Sequence, residues 1–561
     1  MLVSLPALTG SGLLSFLDTF KFTEGYYSLK SILLTLSFCF LLRTKNIEGI
    51  HKEPPGELGR AIGLDRIPEV KLLRGKVAML SAGGQAKTWL GKQSKQWMDN
   101  APGLAGVLYV DGHENPYFGK NNKLPRKYMS RLRLALRGTT DYWVNDRLGQ
   151  PFFSISKSIN TGMINSLKED IVPRLLNDVP QQPSGAQLAA DRHLHRFMIV
   201  CDREIYSPGF MIDMWEKRVA VCTYNKYVTD KWDEGEFHAH TVYDENGKAE
   251  TILLAERAVL IEGKESEKLK CPVPQIRFVA TDRGMEVKVG KKYTRKKRQL
   301  WAREVRKLKP GGHQTSILCT NYKLPIATIG QYMFARWCQE NFFKYMMEHF
   351  GIDSLVSYMK KEIDDTAELI NPQWRQMDKK RRGLNRKLQK LQSKLAERML
   401  EDDILGTKAR DYNDKQSQLL EDINILKAES LEHKNDMAKV PKRVKFSELQ
   451  EDEKFKAVYN ERKQFVDTIK IIAYRAETAL ANTINKYMAK PAEARSLLRQ
   501  VFQSTADLNV NYDKNTLEVS IHHLSTNRDS KALKKLCADL NETKTLFPDT
   551  NLTLVYKLVS D

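Results

Sequence analysis

Between residues 104 and 209 the chain alternates in a way that few architectures satisfy. "LAGVLYVDG" (104–112) is a nearly unbroken apolar run closed by an acid, "RLRLALR" (131–137) alternates like a half-buried strand, and "PFFSISKS" (151–158) reads as a third strand. "TGMINSLKEDIVPRLL" (161–176) then changes to helical spacing, and "RFMIVCDREIYSPG" (196–209) is a second apolar run closed by acid. Three strands, a helix and a strand predict a mixed α/β sheet. Strands apolar on both faces need cover on both sides, so helices must flank them. Asp111 and Asp202 each follow directly on such a run.

The rest of the chain is organised around that segment. At 561 residues it is too long for one ordinary core. Residues 1–95 have helical spacing. Within them "GELGRAIGLDRIPEVKLLRGKVAML" (56–80) gives two short amphipathic helices broken at Gly63, with Pro68 opening the second, the shape of a DNA-binding helix-turn-helix or an ordinary helical hairpin. The core runs over 100–222. A β-rich insertion is expected over 223–325, where "LWAREVRKL" (300–308) carries the one helical spacing. A helix returns to the core over 326–371. Over 372–434, Leu384, Leu388, Leu391 and Leu395 form a coiled-coil seam whose partner is either a second chain or the following stretch "QSQLLEDINILKAESLEHK", the latter favoured. Residues 455–561 give a long amphipathic helix and a hairpin turning at Asp513 to Asn515.

Charge narrows the partner. Lys and Arg number 90 against 69 Asp and Glu, a formal +21, and the simplest partner for that excess is a nucleic acid. The longest apolar run, "SILLTLSFCFLL" (31–42), is too short for a spanning helix of about twenty residues, so no membrane role is expected and the run reads as a buried helix. Its opening residues lack a basic signal-peptide start, and its seven scattered cysteines form no CxxC pair; both point to a reducing, cytoplasmic setting.

"RWCQENFFKYM" (336–346) sets Arg336, Glu340 and Lys344 at steps of four among Trp337, Phe342, Phe343 and Tyr345. A solvated salt-bridge ladder would look the same. Beside two strand-end aspartates, however, Glu340 offers a third carboxylate. Hard oxygen ligands from strand ends and a neighbouring helix suit a pair of Mg²⁺ ions about 3.5–4 Å apart, the arrangement that activates an oxygen nucleophile for phosphodiester chemistry. Phe342 and Phe343 read as core. Asp282, ending the run "FVATD", is the substitute for Asp202; Asp141 and Asp146 flank a turn and read as structural, with a place near the site as the alternative, and His113 and Glu114 read as either a turn pair or contacts to a scissile phosphate or a water. His238 and His240 share a strand face but lack a third ligand at zinc spacing, and His522 and His523 point to opposite faces. No P-loop or nucleophile elbow is present in the sequence.

Taken together, "VDGHENPYFG", "RGTTDYWVNDRLGQPFF", "VCDREIYSPGF" and "TSILCTNYKLP…RWCQENFFKYMMEHFGIDSL" resemble the DDE transposases of bacterial insertion sequences, a group with an RNase H-like core. The resemblance extends over nearly the whole chain, from "GELGRAIGLDRIPEVKLLRGK" to "ERKQFVDTIKIIAYRAETALA". It implies Asp111, Asp202 and Glu340 as catalytic and metal-binding acids and two Mg²⁺ or Mn²⁺ ions per site. It also implies Arg336 and Lys344 on DNA, a homodimer on paired element ends, and a bacterial, nucleoid-associated location. The Tyr-x2-Arg-x3-Glu-x6-Lys signature of such enzymes is only partly kept. Tyr332 lies four residues before Arg336, and Lys344 four after Glu340. A catalytically silent DNA-binding protein keeping the same fold, and a structure-selective nuclease, are the alternatives.

Overall fold

The two apolar runs that end in acid lie side by side. In the computed structural model, β1 (Val107–Tyr117) and β5 (Phe197–Cys201) pair in parallel with Val110 opposite Cys201. The structure describes all residues except 24, 118–124, 130–132, 229, 244–248, 265–271, 282–283, 294–296, 354–359, 362–367, 400–407, 449–456, 459–460 and 560–561. The substitute acid Asp282 lies outside the described residues. The chain divides into one unit of Met1–Phe118, Pro125–Tyr358 and Tyr459–Asp561 and a second of Gly119–Leu124 and Met359–Val458.

The first unit is built on a mixed ten-stranded sheet. Its remaining strands are β2 (Arg126–Met129), β3 (Leu134–Asn145), β4 (Pro151–Ser158), β6 (Val219–Tyr224), β7 (His238–Tyr243), β8 (Ala249–Lys264), β11 (Lys297–Leu308) and β12 (Gln314–Cys319). Between β8 and β11, β9 (Pro272–Thr281) and β10 (Gly284–Tyr293) form a separate hairpin. The order is β2-β3-β1-β5-β6-β12-β11-β8-β7, with β4 also on β3. Only β1, β5 and β6 run parallel to one another; every other pairing in this sheet is antiparallel. Four of the strands of 223–325, β7, β8, β11 and β12, thus continue the main sheet, and β9 and β10 pair only with each other.

"LWAREVRKL" is no helix but the body of β11. Its alternation is disguised because two inward positions, Glu304 and Arg306, are charged and nearly fully buried. They satisfy each other at 2.7 Å, with Ser316 Oγ donating to the same glutamate and Asp230 taking the other side of the guanidinium. Buried polar groups need such partners, and here the partners come from flanking segments.

Period-two alternation sends the central strands' side chains to two cores. Leu108, Val110, Ile199 and Val221 join a large cluster with the helices Leu29–Leu41, Gln85–Asn100 and Glu461–Asn485. Tyr109, Met198, Val200 and Cys222 join a smaller one under the helix Ile326–Phe334. The N-terminal helices therefore share a core with the C-terminal ones. The run 31–42 is the expected buried helix, and no helix among the described residues is long and apolar enough to cross a membrane.

In the second unit the helices Pro372–Met399 and Lys408–Lys439 pair as a hairpin. Leu384 is buried there and Leu388, Leu391 and Leu395 are half-buried, so the seam faces the partner helix of the same chain.

Candidate active site

Asp111 and Asp202 occupy matching places on parallel neighbours, one register step beyond Val110 and Cys201. Parallel strands point their carboxyl ends the same way, so both acids stand at one edge of the sheet, where α/β folds place ligands. β1 itself does not stop at the acid: it continues to Tyr117, with Asp111 opposite Trp143 on β3. Asp111 Oδ1 accepts from the Gly112 amide at 2.8 Å and Asp202 Oδ1 from the Arg203 amide at 2.7 Å, which fixes both carboxylates to their own backbone.

The helix Arg336–Phe350 lies over this edge. Arg336 is buried, and its guanidinium sits between the acids, 3.6 Å from Asp111 and 3.5 Å from Asp202. Burial works to lower the guanidinium's pKa, but the two carboxylates outweigh it and raise it. Glu340 and Lys344 are exposed. The physical reason is the helix period: steps of four overshoot a turn by about 40°, so a stripe that begins inward at residue 336 has turned to solvent within two steps. The structure thus brings together Asp111, Asp202 and Arg336, with Glu340 one turn farther along the same helix. Among the described residues no group of three His, Cys, Asp or Glu side chains is close enough to hold an ion.

Burial pushes the Asp111 carboxyl up to about 6, against the pull of nearby Arg336. The sign of its stability contribution follows. The folded state keeps a proton that the unfolded chain has lost above its ordinary value near 3.8. This contribution is therefore complete below about pH 4 and is lost as pH rises through 6. At two units it amounts to about 3 kcal/mol at most. Metal-free protein is expected to lose stability between pH 4 and 6 at this group, measured as the change in urea midpoint relative to Asp111→Asn across that range.

Other predicted residues separate clearly. Asp141 is fully buried and structural, accepting from Asn115 Nδ2 at 2.6 Å and from Ser156 Oγ, with Lys463 at 2.8 Å. Asp146 closes a turn by accepting the amides of Leu148 and Gln150 at 2.8 and 2.9 Å. His113 stacks on Phe343, and Glu114 pairs with Lys127 at 2.7 Å. Phe342 and Phe343 are core, as expected, and Trp337 is exposed. His522 pairs with Asp507 at 3.1 Å, and His523 Nε2 lies 3.0 Å from the Val559 carbonyl.

What holds the helix was not among the sequence candidates. Gln339, buried, donates toward the carbonyls of Tyr109 and Trp143 at 3.3 and 3.4 Å, tying the helix to β1 and β3. Tyr345 donates to fully buried Glu477 at 2.6 Å, and Arg43 grips the same carboxylate at 2.6 and 3.0 Å. At the C-terminal end, Gly351 takes φ +61°, and a Cβ there would lie 2.9 Å from Lys45, so only glycine fits without strain. Just past the helix end, the carbonyls of Gly351 and Ile352 accept from the buried ammoniums of Lys470 and Lys463, each at 3.1 Å. Cations at a helix C-terminus are electrostatically favourable.

A protein family described as "Transposase protein" matches residues 1–289 and 278–560, almost the entire chain. The chain belongs to this transposase family. No curated protein matches it. The transposase thus carries two aspartates at the carboxyl edge of a mixed sheet, bridged by an arginine from a helix that Gln339 and Tyr345 tie to its surroundings.

Proposed function

We propose that the transposase cuts and joins DNA at the Asp111 and Asp202 edge by metal-dependent phosphodiester chemistry, on an RNase H-like core of the DDE type found in bacterial insertion sequences. The observation that carries this reading is the convergence of two carboxylates from parallel neighbours on one buried cation. The mixed strand order supports the core assignment, since it puts both acids at one edge. The donor set suits Mg²⁺ or Mn²⁺: two hard carboxylates already face a positive charge, and Arg336 is its stand-in. When bound, two such ions supply activation of water or a 3′-hydroxyl and neutralise the leaving oxygen.

The chain's own residues do the rest. Asp111 and Asp202 would hold the ions, their geometry fixed by the Gly112 and Arg203 amides. Glu340, one turn beyond Arg336, would be the third ligand. Arg336 would trade its carboxylates for a DNA phosphate, and exposed Lys344 would hold the backbone of an element end farther along the helix. Exposed Lys71 on the helix Val70–Ser81 leaves that element available to duplex DNA. Action as a homodimer on paired ends in a bacterial nucleoid belongs to the same reading.

The test is incubation with supercoiled plasmid carrying the DNA that flanks the coding region, in Mg²⁺ or Mn²⁺. Breaks at the flanks are expected, and Asp202→Asn and Glu340→Gln should slow them by about a thousandfold or more, several kcal/mol of transition-state stabilisation. DNA shifted but uncut by all three proteins would mark a silent DNA-binding protein; cuts without preference for the flanks would mark a nuclease.

A further inference from the structure

The helix Pro372–Met399 carries ten Lys and Arg against two acids, whereas its partner Lys408–Lys439 carries six against seven. The partner has the mixed signs of an ordinary solvated helix. The first helix does not, and its charges are ordered. At about 100° per residue, Arg375, Lys379, Arg382, Arg386 and Lys390 fall within one narrow stripe, and Leu384, Leu388, Leu391 and Leu395 fall on the opposite side. The seam is turned inward and all five basic residues are exposed. Only Arg382 has an ion-pair partner among the described residues, Asp378. Like charges three and four residues apart each destabilise a helix by a few tenths of a kcal/mol. Four of the five stripe cations therefore bear this repulsion with no ion-pair partner among the described residues.

We propose that this stripe is a second DNA-binding surface of the transposase, one that lies along the phosphate backbone of duplex DNA irrespective of sequence. From Arg375 to Lys390 it is about 22 Å long, the length of roughly six phosphate steps along one strand. Nothing in the stripe reads bases: its side chains are flexible cations, which position a duplex without specifying it. The inference rests on the reading that the protein acts on DNA, and it adds a second set of residues that holds the duplex.

The experiment uses the full chain. Arg375→Gln, Lys379→Gln, Arg386→Gln and Lys390→Gln are combined in one variant. A control carries Lys427→Gln, Lys434→Gln, Lys439→Gln and Lys442→Gln, the same charge removed from elsewhere in the unit. Affinity for a duplex of arbitrary sequence is measured against salt by fluorescence anisotropy. The stripe variant is expected to lower the slope of log K against log salt by about three to four, near 0.9 for each lost phosphate contact, and to bind about a hundredfold more weakly at physiological salt. Removing like charges favours the helix, so circular dichroism should show it intact. A slope and affinity equal to the control's would overturn the proposal, as would loss of binding to anionic lipid vesicles with DNA affinity unchanged. Metal-dependent cleavage is scored separately. If the stripe variant behaves like the control while the wild type still cuts, this inference fails and the catalytic reading stands; if the slope falls but no protein cuts, the reverse holds.

Discussion

Replacing Lys463 with Met is expected to destabilise the transposase by about 3–5 kcal/mol, the cost of breaking a buried ion pair from one side. Lys463 is 2% exposed and is shared by Asp141 at 2.8 Å and by Asp467, both buried. Burial works against its charge, yet the two carboxylates prevail and hold its pKa above the ordinary lysine value. Burial likewise works to raise Asp141, but Lys463 together with the Ser156 and Asn115 hydrogen bonds keeps it below the usual range. Methionine fills a similar volume, takes the Lys463 charge from both carboxylates, and leaves Asp467 only the attraction of Lys470. It also strips the Ile352 carbonyl of its donor, so the end of the helix bearing Arg336 and Glu340 loosens. Urea unfolding measures the loss. Adding Asp141→Asn and Asp467→Asn should recover part of it; if the triple variant is no more stable than Lys463→Met, the charge account is wrong.

Asp111→Asn is expected to pull stability and activity in opposite directions. The carboxyl's raised pKa already includes the attraction of Arg336, so its net effect at neutral pH is a cost to the fold. Asparagine has nearly the same shape and no charge to bury. The metal-free variant should therefore be more stable than wild type at pH 7, by about 1–3 kcal/mol, while DNA cleavage falls about a thousandfold or more with the loss of a metal ligand. Gains in stability from neutralising an active-site charge are the expected signature of a site strained toward function. A variant that is less stable than wild type at pH 7 would show that Asp111 holds the fold together through Arg336.

The legible parts of this protein were those encoded in neighbouring residues. An unbroken apolar run marks a buried central strand and makes the acid that closes it conspicuous; Asp202 does end its strand, whereas β1 runs on past Asp111 to Tyr117. The turn role of Asp146 was readable for the same reason. Residues whose meaning depends on distant partners were not. Lys463 and Asp141 lie more than 300 positions apart, and Lys463, Asp467 and Lys470 are spaced like a solvated helix face. Glu304 and Arg306 hid a strand because each neutralises the other inside the sheet. Spacing puts Arg336 and Lys344 on one stripe, but the helix turns Arg336 inward to the acids and Lys344 out. Only the phase of that helix, set by Gln339 and Tyr345, decides which residue meets the aspartates.

The most direct test of the central claim, that Asp111 and Asp202 share bound metal, is to load the protein with Fe²⁺ and generate hydroxyl radicals with ascorbate and peroxide. The radicals cut the polypeptide within a few ångströms of the ion. Cuts are expected at residues near 111 and near 202, accompanied by cuts near 336–340, all suppressed by excess Mg²⁺ and lost in Asp202→Asn. Cuts confined to other parts of the chain, or cuts at this edge that survive both Mg²⁺ and Asp202→Asn, would contradict the claim.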